Sequence, residues 1–241
     1  MLRPCHTVQG HTGRGNHPST PLWKWIGLAL IHLAVTMPST MSLAAEPKLV
    51  LHASRVSMSE PCQPGISRCD EALVNGSLYS PSGAGKYFVF LMVSQFDPDE
   101  GIRLIRAGID YDAVTVSGVD IFSWNLCADS EQKGSGWYQE AKSVNQLVWN
   151  VEQCPSDTLV VGGYFYMTCY SSSFLTVSPY GLDPASIETC LGTTVTLPPT
   201  ALGYVGFGTT PGCNPCLGPC NTVPVRPTTW STIKGMAGQG P

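Results

Sequence analysis

Residues 158–170 read Thr-Leu-Val-Val-Gly-Gly-Tyr-Phe-Tyr-Met-Thr-Cys-Tyr, the best alternation in the chain. Successive side chains of an extended strand point to opposite faces, so a period of two marks a strand with one face buried. On that period Leu159, Val161, Phe165, Met167 and Cys169 share a face, and Tyr164, Tyr166, Thr168 and Tyr170 share the other. The first set suits a core. The second is a row of rings with an apolar body and a hydroxyl tip.

The neighbouring segments repeat the theme. Lys86 to Gln95 is apolar on both faces and rich in aromatic and β-branched residues, which predicts a central strand. The turn residues Asp97-Pro98-Asp99-Glu100-Gly101 end it, and Ile102 to Tyr111 then sends Ile105, Ala107, Ile109 and Tyr111 one way and Arg106, Asp110 and Asp112 the other. Further strands are expected at Lys48–Ala53, Val114–Cys127, Val144–Val151 with Leu147 and Trp149 on one side, Phe174–Ser178, Thr193–Leu197 and Leu202–Phe207. With the three runs already described this makes about nine. No window carries the i, i+3, i+4, i+7 spacing of an amphipathic helix. Short strands separated by Gly, Pro and Asp turns predict an all-β protein, an antiparallel β-sandwich.

The N-terminal 45 residues stand apart. They contain Arg3, Arg14 and Lys24 and no acidic side chain, then the apolar run Ile26 to Val35 and the small-residue end Ser42-Leu43-Ala44-Ala45. That order predicts a secretory signal peptide over residues 1–45. The uninterrupted apolar part falls short of the about twenty residues of a membrane span. The expected organisation is therefore a signal peptide (1–45), a β-sandwich domain (46–210) and a Cys/Pro/Gly-rich tail (211–241), with the protein secreted or held at the cell surface.

From Glu46 onward the chain has 10 basic and 17 acidic side chains, a net charge of −7. A nucleic-acid partner needs a basic face to displace counterions, and this balance argues against one. No membrane span is expected after signal cleavage. Nine cysteines follow residue 45, and in an exported chain their default fate is disulfides. Proximity in sequence suggests Cys62–Cys69, Cys127–Cys154 and Cys169–Cys190, with two of Cys213, Cys216 and Cys220 forming a fourth pair and one thiol left over. Connectivity does not follow from spacing alone.

Catalytic chemistry finds little support. His52 is the one histidine after the leader, so any Ser-His-Asp or Cys-His site would depend on it, and zinc held by two or three histidines is excluded. No catalytic residue is assigned. Asp97, Asp99, Asp110 and Asp112 are candidate ligands for a structural calcium, although the position of the bidentate acid of a calcium loop, counted from Asp97, is Gly108. No other cofactor is expected. Tyr164, Tyr166 and Tyr170 are the candidate ligand-binding residues, able to stack on sugar rings or to bury in a protein partner.

The run Gly101-Ile-Arg-Leu-Ile-Arg-Ala-Gly-Ile-Asp-Tyr-Asp112 resembles the segment of cohesin-type sandwiches in which a Gly-Ile strand leads into an apolar-x-Tyr-Asp corner. Residues 87–220, with Gly118-Val-Asp-Ile-Phe-Ser-Trp-Asn-Leu-Cys127 as their most distinctive piece, resemble a group of uncharacterised secreted bacterial proteins. The closing Thr228-Thr-Trp-Ser-Thr-Ile-Lys234 resembles a tail found in some of them. The resemblance implies an exported β-sandwich of Ig-like or cohesin-like type and brings no known activity; the chain departs from cohesins in its cysteine content. The functional expectation is a secreted, non-enzymatic binding or surface-interaction module for an extracellular glycan or protein. The alternatives are an envelope or matrix component cross-linked through cysteines and a carboxylate-based glycoside hydrolase.

Overall fold

A computed structural model describes residues 46–56, 62–81, 85–113 and 117–221. The expected signal peptide, the Val114 end of one expected strand and the Trp230 tail lie outside these residues. Among the described residues twelve strands run in chain order: β1 (Lys48–Arg55), β2 (Asn75–Gly76), β3 (Lys86–Ser94), β4 (Ile102–Tyr111), β5 (Val119–Leu126), β6 (Ser130–Lys133), β7 (Ser143–Val148), β8 (Leu159–Cys169), β9 (Ser173–Ser178), β10 (Ser186–Thr189), β11 (Thr194–Thr196) and β12 (Tyr204–Phe207). The only helical pieces among the described residues are three single 3-10 turns. None of them is long and apolar enough to cross a membrane.

The strands form two sheets. Sheet A has the order β1-β3-β8-β5 and is antiparallel throughout. Sheet B is built around β4. One edge of β4 pairs with β7, which carries β6; the other edge is shared, with β10 along its first half and β9 along its second. Beyond them lie β11 next to β10, and β12 then β2 next to β9. The inner faces meet in one core that includes Leu51, Leu91, Ile105, Ile109, Trp124, Leu147, Phe165 and Val205. An antiparallel β-sandwich is thereby shown, with Ile105, Ala107, Ile109 and Tyr111 inward and Arg106 and Asp110 half-buried on the other side, as their alternation requires. Leu147 and Trp149 are likewise both in the core. The three strands without an expected counterpart, β2, β6 and β10, are only two to four residues long, and Ile187 of β10 is the one large apolar residue among them, too little to show a period.

The face assignment in the first half of β8 needs correction. The β3–β8 register shifts so that Leu91 pairs with Gly163 and Met92 with Val161, leaving Gly162 as the extra residue of a bulge. A β-carbon on Gly162 would lie 2.6 Å from Leu147 Cδ1, and one on Gly163 would run into the Trp124 indole, so both glycines face inward. The alternation is therefore inverted before them. Val160 enters the core, while Leu159 and Val161 join Tyr164 on the outer face.

That outer face carries a second, smaller core. Val50, Phe90 and Met92 pack under Ile66, Cys69 and Ala72 of the segment between β1 and β2, with Leu159, Val161 and Tyr164 at the margin. Two disulfides fasten the cover: Cys62–Cys127 (Cα–Cα 5.6 Å) and Cys69–Cys216 (5.9 Å). Cys154–Cys190 (6.4 Å) and Cys213–Cys220 (5.8 Å) complete the set. The expected pairs Cys62–Cys69, Cys127–Cys154 and Cys169–Cys190 do not form, whereas two cysteines of the 213–220 cluster do pair. Neighbours in sequence here sit on different layers, and the cover crosses the sheet before its cysteines find partners. Cys169, on the inner face of β8, is left as the free thiol among the described residues.

The segment after residue 210 belongs to the folded body. Cys213 exchanges backbone hydrogen bonds with Tyr204 at 2.9 and 3.1 Å, and Cys220 N–H donates to Thr200 O at 3.1 Å. The buried Asn214 donates from Nδ2 to Cys69 O at 2.8 Å. The expected boundary at 210 thus falls inside a packed unit that reaches at least Asn221.

Gly163→Ala should destabilise the fold by about 1–3 kcal/mol through overpacking against Trp124. Gly218→Ala, where an added β-carbon meets nothing within 4 Å, should stay within about 0.5 kcal/mol of the parent. Equilibrium urea unfolding of both variants checks the contrast.

Candidate binding surface on sheet A

Inverting β8 at its glycines has a local effect on the tyrosines. From Tyr164 onward the even-numbered residues face outward, and cross-strand neighbours on β3 and β5 line up beside them. A second bulge, at Phe122 of β5, separates the pairs Ile121–Met167 and Ser123–Tyr166 and turns Phe122 outward as well. The result is a continuous row of rings. Phe122 lies 5.1 Å from Tyr166, Tyr166 5.7 Å from Phe88, Phe88 5.2 Å from Tyr164 and Tyr164 5.4 Å from Phe90, with His52 a further 6.1 Å beyond Phe90.

The row passes from open to covered. Phe122 is 43% exposed, Tyr166, Phe88 and Tyr164 are half-buried, and Phe90 and His52 lie under the disulfide-fastened cover. The four accessible rings are tilted against their neighbours by 48–75°, with Phe88 and Tyr164 edge to face and the other two pairs at intermediate angles. Tyr170 is not in this group. It follows the end of β8 and packs its ring on Tyr79 at 5.1 Å. Two of the three candidate tyrosines are brought together, and Phe88 and Phe122 are added to them. Phe88 was hidden in the sequence by a strand apolar on both faces; Phe122 was hidden by a bulge without glycine or proline to mark it.

Beside the row runs a groove of about 770 Å³ between the cover (Cys62–Ser67) and the start of β8. It contains two carboxylates, Glu71 and Asp157. Glu71 is engaged, its Oε2 accepting the backbone N–H groups of Ser67 and Arg68, both at 3.1 Å. A hydrolytic pair would require both acids to be free for the substrate.

The other candidate residues are dispersed. Asp97 and Asp99 occupy the turn before β4, where Asp97 Oδ1 accepts the Asp99 N–H at 2.9 Å. Asp110 and Asp112 are at the far end of the same ten-residue strand, roughly 30 Å away at about 3.3 Å per residue. The four carboxylates do not come together, and the described residues contain no group of three or more His, Cys, Asp or Glu able to hold an ion.

The groups whose acidity is displaced have structural partners. His52 is buried, its Nδ1 accepts the Leu73 N–H at 2.9 Å, and burial lowers its pKa against the opposing effect of a backbone hydrogen bond at Pro64. Burial pushes the Cys169 thiol up to about 11. For Glu131 burial would raise the pKa, but hydrogen bonds from Lys133, Asn145 and Trp124 outweigh it and hold the carboxyl below its usual value. Glu131 Oε2 accepts Trp124 Nε1–H at 2.9 Å and Asn145 Nδ2–H at 2.7 Å, fixing the indole that rests on Gly163. Tyr111 is raised to about 12 by burial and by Asp120 and Glu140; its hydroxyl donates to Tyr138 O at 2.6 Å.

No family profile matches the chain, and no curated protein does. Solved structures do. A cohesin from scaffoldin B of Acetivibrio cellulolyticus, crystallised with a Cel5 dockerin, has a TM-score of 0.44 at 12% identity, covering 68% of this chain and 99% of that one. The cohesin module of a family 33 glycoside hydrolase from Clostridium perfringens gives 0.41 at 12% identity, with 67% and 97% covered. A non-cellulosomal cohesin from the archaeon Archaeoglobus fulgidus gives 0.41 at 9% identity, with 68% and 93% covered. A weak likeness to cohesin modules, expected from Gly101 to Asp112, is thus present in the structure.

Two outcomes follow. His52 is held neutral in the fold and gains a proton more readily when unfolded. Its contribution is therefore complete above the unfolded value of about 6.5 and is lost as pH falls below it toward the lower folded value. His52→Gln should remove that part of the pH slope of the denaturation free energy. Separately, the oxidised chain should show no reactive thiol at Cys169 until it is unfolded, as read by thiol titration with and without denaturant.

Proposed function

We propose that this protein is a secreted, non-enzymatic binding module that meets a protein partner through the row Phe122, Tyr166, Phe88 and Tyr164. The observation that carries this reading is the row itself: four rings in mutual contact, partly open to solvent, on the outer face of a sheet whose geometry is locked from beneath. Isolated exposed apolar residues are ordinary, whereas a contiguous half-open patch needs something to cover it. The tilts favour a protein. Rings inclined to one another leave notches for side chains of a partner, whereas a sugar chain stacks best on ring faces lying in one plane. Tyrosine is also suited to a surface that is dry in the complex and wet without it.

A non-catalytic role is supported by the employment of the chemically able groups. His52 closes the cover, Glu131 orients Trp124, Glu71 caps its own turn and Cys169 lies in the core. Work outside the cytoplasm is supported by the four disulfides, which form and persist in oxidising compartments. A matrix role through intermolecular disulfides is less well supported, because eight of the nine described cysteines are paired within the chain.

The test is capture of ligands from isolated cell-envelope proteins and from a panel of insoluble polysaccharides by the oxidised protein and its Phe122→Ala/Tyr166→Ala variant. Retention of a protein by the parent, weakened at least about tenfold in the variant at unchanged thermal stability, is expected. Retention of a polysaccharide with the same dependence would move the assignment to a glycan. Binding that ignores the double substitution would remove the row from the interface.

A further inference from the structure

The outer face of sheet B carries a feature of different chemistry. The registers set Thr196 opposite Ser186, Ser186 opposite Arg106, Arg106 opposite Gln146 and Gln146 opposite Gln132. Five adjacent strands, β11-β10-β4-β7-β6, thus each contribute one hydrogen-bonding side chain to a transverse row. At about 4.8 Å per strand the row is roughly 19 Å long. Its residues alternate with core residues such as Ile105, Leu147 and Ile187, which fixes their outward direction.

A cleft of about 430 Å³ lies over the centre of this row. Its floor is Ser186, Arg106 and Gln146, with Arg106 Nε–H donating to Gln146 Oε1 at 2.8 Å. One wall is the excursion 179–185 between β9 and β10, which presents Tyr180, Asp183 and Pro184; the other is Thr194 and Thr196 of β11. The excursion is closed by the Asp183 N–H, which donates to Tyr180 O at 3.1 Å. Among the described residues the Asp183 carboxylate and the Arg106 Nη groups engage no hydrogen bond or ion pair. Two charges of opposite sign, neither held in an ion pair among the described residues, therefore line the same small volume.

These groups select by chemistry. An anion would be drawn to Arg106 and repelled by Asp183, and a cation would meet the reverse. A neutral molecule dense in hydroxyls uses everything present: Asp183 accepts from it, Arg106 Nη and Gln146 Nε2 donate to it, and the Ser186, Thr194 and Thr196 hydroxyls do either. Tyr180 offers an aromatic wall for the apolar face of a ring. We propose that this cleft binds a neutral sugar residue, with neighbouring residues of the same oligosaccharide extending over Gln146 and Gln132. The site is on the opposite sheet from the aromatic row and does not depend on what that row binds.

The experiment uses the oxidised chain with labelled backbone amides. Glucose, galactose, mannose and N-acetylglucosamine are titrated with their short oligosaccharides, beside glucuronic acid and glucosamine as charged counterparts. The expected result is millimolar binding of at least one neutral sugar, with shifts concentrated at Tyr180, Asp183, Thr194 and Thr196 and tighter binding of the oligosaccharide. Asp183→Asn, in an exposed turn, and Arg106→Gln should each weaken it about tenfold or more, while Phe122→Ala/Tyr166→Ala leaves it unchanged. Three results would overturn the proposal: no shifts at these amides with any neutral sugar, a preference for glucuronic acid that Asp183→Asn strengthens, or binding that follows Phe122 and Tyr166 instead.

Discussion

The Trp124 indole rests where a side chain on Gly163 would be, and this contact governs how the two sheets present themselves. Because Gly162 and Gly163 both turn inward, β8 changes the face of every residue before them. That inversion puts Val160 inside and leaves Leu159 and Val161 to support the cover. Glu131 reaches from the edge of sheet B to hold the indole nitrogen, so the contact ties the bulge to both layers. A hydrogen bond to a charged acceptor is worth more than a neutral one, and this acceptor also takes Asn145 and Lys133.

The cover over sheet A sets how much of the aromatic row is available. It is short of regular structure and would have little to hold it down on its own. Cys62–Cys127 and Cys69–Cys216 join it to places 65 and 147 residues away in the chain, and closing such long loops restricts the unfolded chain strongly. The satellite core of Val50, Phe90 and Met92 is then protected, and the rings beyond it are left half-open by the place where the cover ends. His52 belongs to that closure, since its Nδ1 receives the Leu73 N–H.

Much of this was legible in the residue pattern. Nine of the twelve strands follow from apolar runs between turn residues, and the inward set of β4 and the shared face of Tyr164 and Tyr166 follow from period-two alternation, which a half-buried sheet enforces. Where a bulge breaks the period, the pattern gave the wrong face for Leu159 and Val161, although two adjacent glycines in a strand are a recognisable mark of such a break. The disulfides were illegible because chain separation says nothing about which layer a cysteine reaches. The carboxylates misled for the opposite reason: Asp97 and Asp110 are near in sequence, but an extended strand carries them to opposite ends of β4. Phe122 and the transverse row from Thr196 to Gln132 required the registers, which no single strand contains.

One strand line of sheet B is shared by β9 and β10, with residues 179–185 leaving the sheet and returning to it in register with β4. Hydrogen bonding to β4 resumes with little regard for what lies between. The excursion can therefore change length and composition without disturbing the core, and surface loops accommodate such change at small entropic expense. It offers a place where new recognition could be grafted onto a fixed frame, by redesign or by descent, because the side chains forming one wall of the cleft are free to vary while its floor is held by the sheet.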